Sequence, residues 1–96
     1  MKIEKLSVYK VDAYELIEVL QKYFKDDTLG KRILADQQLW SNYTYDLIHI
    51  DGYITDEEAE SINHLRTKTP KVETLMNVLV INGQLEPGNY LISIMY

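Results

Sequence analysis

The sequence predicts a helix-rich α+β domain, with three to four helices and a short sheet of two to three strands. Three observations carry this. Two segments pair an N-capping residue with glutamate three positions on and continue with apolar residues at three- and four-residue spacing. Segments rich in Tyr, Ile and Val lie near both ends of the chain and in its middle. At 96 residues with 46% hydrophobic and 26% charged content, the chain suits one small globular domain spanning residues 1–96. The competing reading is an all-α, death-fold-like bundle.

In chain order, the partly alternating Lys2–Tyr9 reads as a short strand within Met1–Lys10. Asp12 and Glu15 form a capping-box pair, with Val11 and Leu16 as a hydrophobic staple. Ala13, Leu16, Ile17, Leu20, Tyr23 and Phe24 give the following helix one apolar face, and Asp26-Asp27 is expected to end it. Thr28–Trp40 reads as a helix interrupted near Gly30, and Asn42–Ile50 as a strand followed by a turn at Asp51-Gly52.

Thr55 and Glu58 repeat the capping box, and Ala59, Ile62 and Leu65 form a narrow stripe expected to be buried. Thr69-Pro70 reads as a cap with proline at the first helical position. Val72, Leu75, Met76, Leu79 and Val80 then fit a helical period that stops at Asn82-Gly83. The continuous Val-Leu-Val-Ile run also permits a hairpin of Val78–Ile81 with Tyr90–Met95, and over 70–82 the period favours helix. Glu86–Asn89 reads as a turn and Tyr90–Tyr96 as a terminal strand.

Composition narrows function more than motifs do. A net charge of −5 argues against a generalist nucleic-acid binder. The absence of cysteine excludes disulfides and thiol catalysis. No run approaches the roughly 18 apolar residues of a membrane span. Met1–Val11 lacks the apolar stretch of a signal peptide, so a cytoplasmic protein is expected.

The two histidines, His49 and His64, have no nucleophile elbow or oxyanion-hole glycines near them and are expected to be structural. Asp51–Glu58 echoes half an EF-hand loop, yet Leu47 and His49 would occupy the first and third ligand positions. No phosphate-binding glycine cluster precedes a helix. The expectation is therefore a chain that is not an enzyme and has no cofactor, catalytic residue or metal.

Charge distribution is the distinctive feature. Asp46, Asp51, Asp56, Glu57, Glu58 and Glu60 lie in a stretch without a base. Arg66, Lys68 and Lys71 follow without an acid, and Lys31 and Arg32 form a second basic spot. Residues 74–96 carry one charge, Glu86. Acids at a helix start offset its dipole, which explains part of the cluster without a partner. The rest suggests a docking surface for a protein with a basic face. Eight tyrosines, with Tyr43, Tyr45 and Tyr53 around the acids, add residues that favour interfaces. The apolar C-terminal strand could also pair with another chain and produce a homo-oligomer.

In type, a small acidic domain without catalytic motifs resembles the inhibitors that phages and mobile elements deploy against host defences, anti-CRISPR proteins among them. That resemblance implies an inhibitor occluding a basic partner surface. Tyr45–Gly83, with Asp51–Glu60, Ile62, Pro70, Leu75 and Leu79, also resembles helices two to four of a caspase-recruitment (CARD) domain. This second resemblance implies a homotypic adaptor pairing acidic and basic patches. A third option is a winged-helix regulator, with Thr55–Leu65 and Pro70–Asn82 as helix-turn-helix and Leu85–Met95 as the wing. Its recognition helix would offer Glu73, Thr74, Asn77 and Val78, a thin set for reading bases.

Overall fold

The computed structural model describes residues 8–35 and 47–93. Their elements are β1 (Val8–Asp12), α1 (Ala13–Phe24), α2 (Leu29–Ala35), β2 (Ile48–Ile50), α3 (Asp56–Asn63), α4 (Val72–Ile81) and β3 (Gly88–Ser93). Four helices and a three-stranded sheet make this a small α+β domain. The all-α, death-fold-like alternative fails because three segments pair as a sheet.

The sheet order is β1-β3-β2. β3 runs parallel to β1, with Tyr9 opposite Tyr90, and antiparallel to β2, with His49 opposite Asn89. The paired Tyr9 and Tyr90 rings stack with centroids 5.0 Å apart. β3 is thus interior to the sheet. Over Gly88–Tyr90 this closes the C-terminal strand to the addition of another chain that the sequence suggests, while Leu91–Ser93 pair only with β1 among the described residues. Nor is Leu85–Met95 a wing: its described part contributes a single central strand where a wing needs a hairpin.

α1 follows the sequence closely. The Asp12 carboxylate accepts from the Tyr14 and Glu15 N–H groups at 3.1 and 3.2 Å, the Asp12 half of the expected capping box; the return bond from Glu15 to the Asp12 N–H is not made. The helix stops one residue before the expected aspartates, at Lys25, which adopts a left-handed conformation with φ 54°. Gly30 lies inside α2 and does not interrupt it. A β-carbon there would approach Ile17 Cγ2 to 2.5 Å, so glycine is what lets α2 lie against α1. Its N–H also donates to Gln21 Oε1 at 2.9 Å.

Residues 70–82 are helical from Val72, and the hairpin alternative is excluded over Val78–Ile81. The expected Thr69-Pro70 cap does not form. The Thr69 hydroxyl accepts from Arg32 Nη1 at 3.0 Å instead, and Lys71 becomes the N-cap residue without a side-chain cap bond. Every residue from Val72 to Leu79 except half-buried Glu73 is buried. Such a helix has little place for charge, which accounts for the uncharged run seen in the sequence. Around it pack Leu16, Leu20, Leu29, Ile33, Ile50, Tyr90 and Ile92. β3 begins at Gly88, inside the stretch read as a turn. The early strand is present as Val8–Asp12, its expected beginning at Lys2–Ser7 lying outside the described residues, and the middle strand appears as Ile48–Ile50. Its expected beginning, Asn42–Asp46, and the positions from 36 to Trp40 lie outside the described residues.

Candidate functional site

The acidic segment folds as a turn and a capped helix. Gly52 takes φ 85°, a conformation that favours glycine, and a β-carbon there would meet Val80 Cγ1 of α4 at 3.0 Å. The Gly52 N–H donates to Oδ1 of buried Asn77 at 2.9 Å. The Tyr53 N–H donates to Asp51 Oδ1 at 2.9 Å, closing the turn. Thr55 and Glu58 then complete both halves of the predicted capping box.

α3 has no buried residue, contrary to the expected stripe. Ala59 and Ile62 are half-buried, and Leu65 is buried only in the turn beyond the helix. Polar bonds reinforce the modest apolar contact. Buried Thr74 donates its hydroxyl to Glu58 Oε2 at 2.6 Å, while Asn77, one turn on, holds Gly52. Thr74 and Asn77 are three apart and so share a face of α4. This face is a polar seam that fixes the acidic segment to the core helix.

The structure divides the six predicted acids. Glu58 is structural: it closes its own cap and accepts from Thr74. The Thr74 hydroxyl, then the Thr55 N–H, hold its carboxyl below the usual range, and Lys71 assists while burial opposes. Glu60 pairs with His64 Nε2 at 3.0 Å on the exposed side of α3. Asp51, Asp56 and Glu57 are exposed, and Asp56 and Glu57 have no hydrogen bond or ion pair among the described residues. Asp46, Tyr43 and Tyr45 lie outside the described residues. Tyr53 is 70% exposed, well above the other exposed large hydrophobics.

The five predicted bases do not act as one patch. Lys31 is exposed on α2, whereas Arg32 turns inward. Arg32 pairs with the Asp26 carboxylate and donates to Leu65 O at 2.6 Å and to Thr69, joining the α1–α2 turn to the α3–α4 connection. Thr28 donates to Asp26 through its hydroxyl and its N–H, and these bonds, with Arg32 and Arg66, hold the Asp26 carboxyl below its usual range against burial. Lys68 and Lys71 line an open groove of about 830 Å³ opposite Glu57, Glu58 and Glu60, so charge is mixed there.

His49 is exposed on β2 with Nδ1 3.2 Å from Asn89 Oδ1, and His64 lies at the end of α3. Among the described residues no group of three or more His, Cys, Asp or Glu is placed to hold a metal ion. None of their helices is long and apolar enough to cross a membrane. Sequence reasoning missed Asn77, whose Oδ1 accepts from Gly52 N–H and holds the turn. The one signal for Asn77 was an amide between the apolar residues Leu75-Met76 and Val78–Ile81.

No family model, curated protein or solved structure matches this chain. The class defined by the fold is therefore as far as identity goes: a small α+β domain presenting an acidic turn and helix start.

Proposed function

We propose that the chain is a non-enzymatic protein-binding module that occludes a basic partner surface through its β2–α3 segment. The observation that carries this reading is the trio Asp51, Asp56 and Glu57, exposed around a highly exposed Tyr53 on a turn anchored to the core helix. Like charges held together repel one another, and a cationic partner relieves that repulsion while speeding encounter. Anchoring matters because a turn already fixed in its bound shape loses less entropy on docking. The small size, −5 charge and surface tyrosine suit an inhibitor of phage or mobile-element type, acting in the cytoplasm on a defence protein whose working surface is basic.

The test is affinity capture from host cells followed by titration of the recovered protein's activity. Wild-type chain should retain a basic-surfaced protein and inhibit it, with affinity falling as salt rises. The combined D56K, E57K and E60K variant should lose both capture and inhibition. Equal capture by this variant would remove the acidic segment from the mechanism.

A further inference from the structure

We propose that Asn82-Gly83, at the C-terminal end of α4, is a site of spontaneous covalent modification. The asparagine deamidates to aspartate and isoaspartate, at a rate set by opening of the last helical turn. This inference stands apart from the docking reading and does not depend on it.

Of the five asparagines in the chain, Asn82 alone precedes glycine. Glycine has no side chain to shield its backbone nitrogen, the nucleophile of this reaction. The Gly83 N–H gives its proton to hydroxide, and the nitrogen attacks Cγ of Asn82. A C–N bond forms, ammonia leaves, and water then opens the cyclic imide at either carbonyl. In the folded chain both reacting groups are engaged. Asn82 Nδ2 donates to Val78 O at 2.9 Å, and the Gly83 N–H donates to Val80 O at 3.1 Å. Gly83 takes φ 72° and the Gln84 N–H reaches back to Leu79 O at 2.8 Å, a Schellman-type stop. Little packing guards this stop. Residues 81 to 84 are all exposed, and among the described residues no heavy atom beyond the chain neighbours lies within 4 Å of the β-carbon position of Gly83. Opening therefore costs hydrogen bonds and almost no apolar burial, as at a fraying helix end. The product bears on the fold. Aspartate cannot donate to Val78 O, and its charge stands at a helix C-terminus, where the dipole disfavours anions.

The deciding experiment incubates the full chain at mildly alkaline pH, native and in concentrated urea, and follows it by intact mass and peptide mapping. Deamidation adds about 1 Da, whereas isomerisation at Asp51-Gly52 leaves the mass unchanged. The native chain should gain this mass at Asn82 before any other asparagine. Its rate should be roughly five- to thirtyfold below that in urea, the factor that one or two net hydrogen bonds supply. N82Q should remove the gain, and N82D should unfold at lower urea than the wild type at neutral pH. An earlier gain at Asn42, Asn63, Asn77 or Asn89 would overturn the assignment, as would a native Asn82 left intact long after the urea sample is converted. Equal rates in the two samples would overturn control by the last turn. N82D as stable as the wild type would overturn the effect on α4. The wild-type comparison decides the site even if a variant fails to fold.

Discussion

The α1–α2 pair and the β2–α3 segment are built from similar residues and use them in opposite ways. Between α1 and α2 the contact is apolar and close, with Leu16, Leu20, Leu29 and Ile33 buried and Gly30 against Ile17. The nearby charges, Asp26 and Arg32, are spent internally as a clamp. The β2–α3 segment has a half-buried helix, held through Glu58–Thr74 and Gly52–Asn77, and most of its carboxylates face outward. Charge that holds a fold together and charge left free to meet a partner therefore cannot be told apart by counting. What separates them is whether a donor waits on a neighbouring element.

The strongest way to break this contrast is R32M. Methionine keeps much of the side-chain volume but leaves the part-buried Asp26 carboxylate with the Thr28 donors alone among the described residues, and removes the donors to Leu65 O and Thr69. A loss of about 2–4 kcal/mol is expected in urea unfolding. Partner capture per folded molecule should stay unchanged, because Arg32 belongs to the clamp and not to the proposed docking surface. A weakly destabilised variant that binds differently would reverse the assignment.

A smaller effect sharpens the other half. N77A leaves the Gly52 N–H without its acceptor, at a cost of about 1–2 kcal/mol. Hydrogen exchange should accelerate first at Gly52 and along α3, with α1 amides following only through the loss of global stability. Uniform acceleration across both regions would show that the polar seam is not a separate point of attachment.

Much of the fold was legible because it is local. The Asp12 and Thr55 caps and the periods of α1 and α4 are written within a few residues of where they act. The roles that were not legible depend on distant partners. Gly30 reads as a helix breaker until Ile17 lies beside it. Thr69 reads as a cap until Arg32, 37 positions earlier, takes its hydroxyl. Glu58 was legible as a cap, but not as the acceptor for Thr74, so it was also counted among the docking acids. Arg32 was assigned to a basic surface for the same reason. Conversely, the acidic stretch marks the β2–α3 segment, and packing separates Glu58, bound to Thr74, from the carboxylates that remain outside.

The smallest effect expected is a pH dependence shared between the two regions. Asp26 and Glu58 both have carboxyl groups held below their ordinary range, through donation from Thr28 in one case and Thr74 in the other. A carboxyl lowered in the folded state binds fewer protons there than in the unfolded chain. Its contribution is complete above the unfolded value, near pH 4, and is lost as pH falls through the lower folded value. Melting temperature should therefore decline from about pH 5 downwards. In E58Q the fall should be shallower, because one of the two lowered carboxyls is gone, while stability at pH 7 drops with the lost charge-assisted bond. An acid limb as steep in E58Q as in the wild type would mean that the Glu58–Thr74 bond does not serve the fold, erasing the distinction between the two kinds of charge.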